Sequence, residues 1–206
     1  CYYYVRDSDV GAEIPVKKRS TFDNELSLTA GGPILADKLW YFASFSGDYN
    51  KDRYEGQSID SPYVSKGFEG VAKITWFPTQ DMSVQLQVSG SGTGTDNYET
   101  SPLFTAESQA TRSQKSMSPM LTARWRPSEM NELELKVTYW SLVLNIVPSS
   151  GDDQEPAVQD ISGLYTGNYD SFDYNQRSRI GGSLKYTQLV EDMFGDHKFK
   201  IGAELW

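Results

Sequence analysis

The chain has 206 residues, a net charge of −9, 38% hydrophobic residues and 13% aromatics, 13 of them Tyr. That length suits one large domain or two small ones, and the absence of any window near 18 consecutive apolar residues excludes a transmembrane helix but not a barrel, whose alternating strands average out as polar. The acidic balance speaks against a nucleic-acid partner, because Lys17, Lys18 and Arg19 are too short a basic run to follow a phosphate backbone.

Helical periodicity is nearly absent and period-two alternation recurs, which predicts an all-β chain of about eight strands. The first two are expected at 20–30 and 38–49, within LSLTAGGPILADKLWYFASFSGDYN, where Gly31, Gly32 and Pro33 read as closing a tight polar turn. Strands at 67–77 and 82–92 flank PTQD; in the second, Met82, Val84, Leu86 and Val88 face one way and Ser83, Gln85, Gln87 and Ser89 the other. Strands at 117–126 and 132–145 flank PSEMN, with Trp140, Leu142 and Leu144 interrupting the polar face of the latter. The last pair, 174–190 and 197–206, flanks EDMFGD, and Phe199, Ile201, Ala203 and Leu205 oppose Lys198, Lys200 and Glu204.

Short connections alternate with long ones at 50–66, 93–116 and 146–173, the pattern of an antiparallel up-and-down meander with its elaboration on one rim. Strands of about ten residues exceed the usual globular length and match a tilted membrane crossing. Trp40, Tyr41, Phe42, Trp76, Phe77 and Trp125 all fall beside the short turns, where a girdle of amphipathic rings at a membrane interface is expected. Alternation by itself leaves open whether the apolar face turns to a soluble core or to lipid.

The segment LTAGGPILADKLWYFASF resembles barrel hairpins of the TonB-dependent receptor family of Gram-negative outer membranes, in particular the Oar-like receptors; GVAKITWFPTQDMSVQLQVSG and GDHKFKIGAELW are similar to generic hairpins of that family. The resemblance implies a larger transmembrane β-barrel with a plug inside it, energised by the TonB complex, importing an extracellular ligand. On that reading residues 1–206 are a barrel segment of about eight strands, with plug, TonB box and remaining strands outside it, and its partners are outer-membrane lipid and an unidentified ligand. Trp206 is out of phase with Phe199, Ile201, Ala203 and Leu205, which reads as an interruption within a barrel. A complete eight-stranded barrel and a secreted β-sandwich that binds glycans are the alternatives.

No catalytic constellation is recognisable. SGSGTGTD, residues 89–96, lacks the Gly-Lys-Ser/Thr ending of a phosphate loop. His197 is the only histidine and Cys1 the only cysteine, so neither a His-based triad nor a multi-ligand His or Cys metal site can form, and no cofactor is implied. Asp152, Asp153, Glu155, Asp160, Asp170 and Asp173 gather in the third long loop, an oxygen density that could hold a calcium ion, but the spacing is unlike an EF-hand and a solvated acidic loop is the default. Tyr98, Phe104, Tyr165, Tyr169, Phe172 and Tyr174 are candidates for a ligand-capturing surface, with packing of loop on loop as the competing role. Lys73, Arg124, Lys136 and Lys185 would line a barrel lumen.

Overall fold

The computed structural model describes residues 22–53, 61–99, 101–152, 154–191 and 194–206; Cys1, the basic run at 17–19 and Asp153 lie outside them. Eight long strands form one antiparallel sheet: β1 (Phe22–Leu35), β2 (Leu39–Asp52), β3 (Tyr63–Thr79), β4 (Met82–Asp96), β5 (Ala110–Ser128), β6 (Asn131–Pro148), β9 (Asp173–Val190) and β10 (His197–Leu205). A small hairpin, β7 (Ala157–Gln159) with β8 (Tyr165–Gly167), lies in the connection from β6 to β9. Each strand pairs with its neighbour in the chain, so the expected meander is the observed topology. Among the described residues β1 and β10 do not pair, and no second layer packs on the sheet, which is the wrong architecture for a sandwich.

Two expectations need correction. Gly31, Gly32 and Pro33 do not close a turn: they continue β1, opposite Phe42, Tyr41 and Trp40. Pro33 is tolerated because it sits at the register shift between Pro33 and Leu35, where the ladder is already irregular. The turn is Ala36–Lys38, with Asp37 in the left-handed region at φ 59° and the Lys38 N–H donating to Leu35 O at 3.1 Å. The strands are also longer than expected, 14 to 19 residues for β1 to β6, because β3, β4 and β5 run on through polar and Gly-rich sequence.

Paired residues share a face of a pleated sheet, so the register sorts every side chain. One face carries rows such as Tyr41, Ile74, Leu86, Leu121 and Val137, or Trp76, Val84, Ala123, Leu135 and Leu184. The other carries Ser46, Glu69, Ser91 and Ser116, or Thr75, Gln85, Thr122, Lys136 and Ser183. The apolar face stays uncovered: Leu28, Phe45, Ile74, Leu86, Leu121 and Leu135 are all exposed, and Ala110 and Tyr169 are the buried apolar residues among those described. A sheet with this much bare apolar surface requires a nonaqueous neighbour.

The closing pairs of the four short hairpins, Leu35–Leu39, Thr79–Met82, Ser128–Asn131 and Val190–His197, step along the ladder by two residues per hairpin. One residue per strand is a shift of ~3.4 Å for each ~4.8 Å of spacing, or a tilt of ~35°, at the lower end of the range for membrane barrels. Apolar-face residues run from Phe68 to Trp76 and from Met117 to Trp125, nine residues each. At that tilt nine residues stand ~22 Å tall, close to the ~25 Å apolar band of such barrels.

Candidate functional site

Beyond the apolar band, the β4–β5 and β6–β9 connections fold into one body with its own interior. Phe104 and Tyr165 stack at 4.6 Å with planes 2° apart, and Phe104 meets Tyr169 at 6.0 Å. Backbone bonds sew the two connections together, Thr105 N–H to Tyr165 O at 3.2 Å and Tyr165 N–H to Leu103 O at 2.7 Å. The buried Asn168 amide donates to the carbonyls of Asp152 at 2.7 Å and Glu155 at 3.1 Å, and its Oδ1 accepts from Ser150 Oγ at 2.9 Å. Tyr169 Oη donates to Glu99 Oε1 at 2.8 Å; burial, then that carboxylate, push its hydroxyl up to about 12.

Three of the six capture candidates, Phe104, Tyr165 and Tyr169, are therefore brought together in one loop cluster, while the Tyr98 ring lies 5.3 Å from the Arg112 guanidinium. Phe172 and Tyr174 stand outside it and are exposed, Tyr174 at 70%. The acidic residues are not drawn around a common point; among the described residues no three His, Cys, Asp or Glu side chains could hold a metal ion. Asp160 instead caps the β7–β8 hairpin, accepting from Ser162 Oγ at 2.6 Å, Ser162 N–H at 2.7 Å and Leu164 N–H at 3.0 Å. The Ser162 hydroxyl and then the Leu164 amide hold its carboxyl below the usual range.

Register separates the turn-side aromatics. Tyr41, Trp76 and Trp125 lie on the apolar face, while Trp40 and Phe42 lie on the polar one, where Phe42 sits 5.4 Å beneath the Lys73 amine. Phe77 occupies the irregular end of β3, its N–H donating to Lys38 O at 2.8 Å. Lys73, Arg124, Lys136 and Lys185 share the polar face, and Arg124 and Lys185 flank Glu134 at 2.7 and 3.8 Å. Farther from the turns, Ser44, Ser46, Ser89, Ser91, Ser116 and Ser118 line a polar-face groove of about 450 Å³, with Glu69 and Trp140 at its sides. Nothing in the sequence pattern marks this groove, because it exists only once register aligns serines from three strands, β2, β4 and β5.

A search of protein-family models gives no match, and a search of curated proteins gives no significant one. In fold the chain is similar to the crystal structure of the outer membrane transporter YddB from Escherichia coli, with a TM-score of 0.66 and 16% identity, over 89% of this chain and 25% of that one. The chain thus spans about a quarter of that transporter's length, and the likeness is one of fold: an all-β antiparallel meander of the kind found in outer-membrane barrels.

Proposed function

We propose that the chain is a wall segment of an outer-membrane transport barrel, a TonB-dependent receptor of the Oar-like kind, that takes part in importing an extracellular ligand. The observation that carries this reading is the single-layered, staggered sheet with one uncovered apolar face ~22 Å tall. In this reading the apolar face meets lipid, and Tyr41, Trp76 and Trp125 form its girdle on the short-turn side. The polar face lines the lumen, with its Arg124–Glu134–Lys185 and Arg126–Glu132 ion pairs. The loop body stands at the outer rim, where its aromatic interior holds it as a rigid element and Phe172 is the ring left free to meet a ligand, while Tyr174 opens β9 on the parity of the apolar face. The free edges of β1 and β10 pair with further strands of the same barrel, since unpaired backbone groups are not left in lipid.

The experiment is to sequence the coding DNA on both sides of this segment and to express the whole reading frame. A plug-sized domain and further alternating strands, with a product that needs detergent and shifts in gel mobility on heating, support the reading. A frame confined to these residues, with a product soluble without detergent, overturns it.

A further inference from the structure

Trp140 interrupts the polar face of β6, and the register shows what it borders. Bracketed by the pairs Met117–Ser141 and Met120–Thr138, it stands level with Ser118, in the row that holds Ser89, Val71 and Ser44; the next row toward the long connections is Ser116, Ser91, Glu69 and Ser46. These two rows floor the groove of about 450 Å³, with the exposed indole of Trp140 at one side and the exposed carboxylate of Glu69 at the other. The floor has hydrogen-bonding capacity to spare. The Ser91 and Ser116 hydroxyls share one bond at 2.8 Å, so that pair keeps a proton to donate and lone pairs to accept with. Glu69 Oε1 accepts from Ser46 Oγ at 3.2 Å, and the carboxylate has a second oxygen for a further donor. Pairing of β5 with β6 is interrupted at Ser118 and Pro119, because Pro119 has no N–H to give, so a carbonyl of β6 beside Trp140 lacks its ladder donor.

We infer that this groove binds a neutral oligosaccharide over a length of about two hexose units; the inference rests on the polar face being the lumen wall of a transport barrel. Ser89, Ser91, Ser116 and Ser118 occupy the corners of a rectangle ~4.8 by ~6.8 Å, comparable with the span of one hexose ring. Trp140 and Glu69 stand three strand spacings apart, ~14 Å, which leaves room for a second ring. The indole stacks on the apolar face of one sugar, the serines exchange hydrogen bonds with its rim hydroxyls, and Glu69 accepts from a vicinal diol of the other. The neighbouring cations are engaged elsewhere: Lys73 lies over the Phe42 ring at 5.4 Å, Arg179 over the Trp206 ring at 4.4 Å, and Arg177 donates to Asn175 at 2.9 Å. The charge that meets the ligand is therefore the Glu69 carboxylate, which repels acidic sugars.

The test uses the complete parent protein in an amine-oxide detergent, which carries no sugar, titrated with maltose, cellobiose, galabiose and the acidic disaccharide digalacturonate and read by saturation-transfer NMR. The wild type is expected to bind at least one of the three neutral disaccharides, by about tenfold over digalacturonate. W140A should weaken that binding about tenfold, while W140F, which keeps an aromatic face, retains most of it. E69Q should close the gap between neutral and acidic disaccharides, and L86V, on the opposite face of β4, should change neither quantity. Failure of all three neutral sugars to bind, which is what a groove filled by another segment of the protein would give, overturns the assignment. So does equal binding of digalacturonate by the wild type, an unchanged affinity in W140A, or an unchanged preference in E69Q; if W140A does not fold, the E69Q preference decides. Detergent dependence and heat-modifiable mobility are read on the same samples. A protein that fails those is not a barrel and takes the sugar site down with it, whereas one that passes them and binds no neutral sugar loses the sugar site alone.

Discussion

The sheet and the loop body solve opposite problems with the same kind of chain. The wall from β1 to β10 has almost no interior of its own: most of its apolar residues lie on one face and many of them are exposed, so its stability must come from backbone ladders and from whatever covers that face. The loop body buries Ser108, Gln109, Ala110, Asn168 and Tyr169 and closes around stacked rings, as a small water-soluble domain does. Two regions of one chain thus respond to different solvents. Substitutions that distinguish those solvents separate the regions.

The largest effect is expected in the wall. Leu121 sits midway along the apolar band of β5, so Leu121→Lys should destabilise the protein folded in lipid vesicles by ~2–4 kcal/mol, read by denaturant titration. No cost there would mean that the face looks onto water, and the comparison would collapse. In the loop body, Asn168→Ala removes three hydrogen bonds from a buried site and should cost ~1–3 kcal/mol. Hydrogen exchange should show faster opening of residues 101–109 and 154–172 while the amides of β2 to β6 keep their protection. Uniform loosening would show that the two regions are one cooperative unit.

Smaller changes sharpen the boundary. Tyr169→Phe keeps the ring and removes the bond to Glu99, for ~1 kcal/mol. Because the folded hydroxyl titrates at about 12, above its unfolded value near 10, its contribution is complete below ~pH 10 and is lost as pH rises through 12. The absorbance difference between wild type and Y169F at 295 nm should therefore contain one tyrosine titrating near 12. Smallest of all, Asp160→Ala should fray only the β7–β8 hairpin, seen as faster exchange at Ser162 and Leu164. With its folded pKa depressed, the wild-type cap is in force above the ordinary carboxylate range and is lost as pH falls through the lowered value; fraying in D160A should not depend on pH in this way.

The parts of the fold legible in the sequence are those where one face is apolar. Met82 to Val88 and Leu133 to Tyr139 alternate cleanly, and their strands and short turns are found where the alternation places them. Above the band both faces are polar, the binary signal vanishes, and residues 93–96 and 110–116 read as loop although the ladder continues through them. Gly31–Pro33 misled for a related reason: turn chemistry is a local signal, and the irregular end of a strand tolerates the same residues. The opposed faces of Trp40 and Tyr41 follow from the pleat and were obscured by reading three adjacent rings as one girdle. The Phe104–Tyr165–Tyr169 cluster joins residues up to 65 positions apart (169 − 104), and no periodicity announces a contact between two loops.

The even number of long strands has a further consequence. β1 and β10 run in opposite directions, so the free edge of one copy is antiparallel to the opposite free edge of the next with both standing the same way up. Such a contact is heterologous and repeats by rotation about an axis along the wall. On the proposed reading, isolated copies of this segment crowded into a bilayer have in each other the nearest partners for their free edges, and they would assemble edge to edge into symmetric rings or open ribbons whose size is set by the curvature of the sheet.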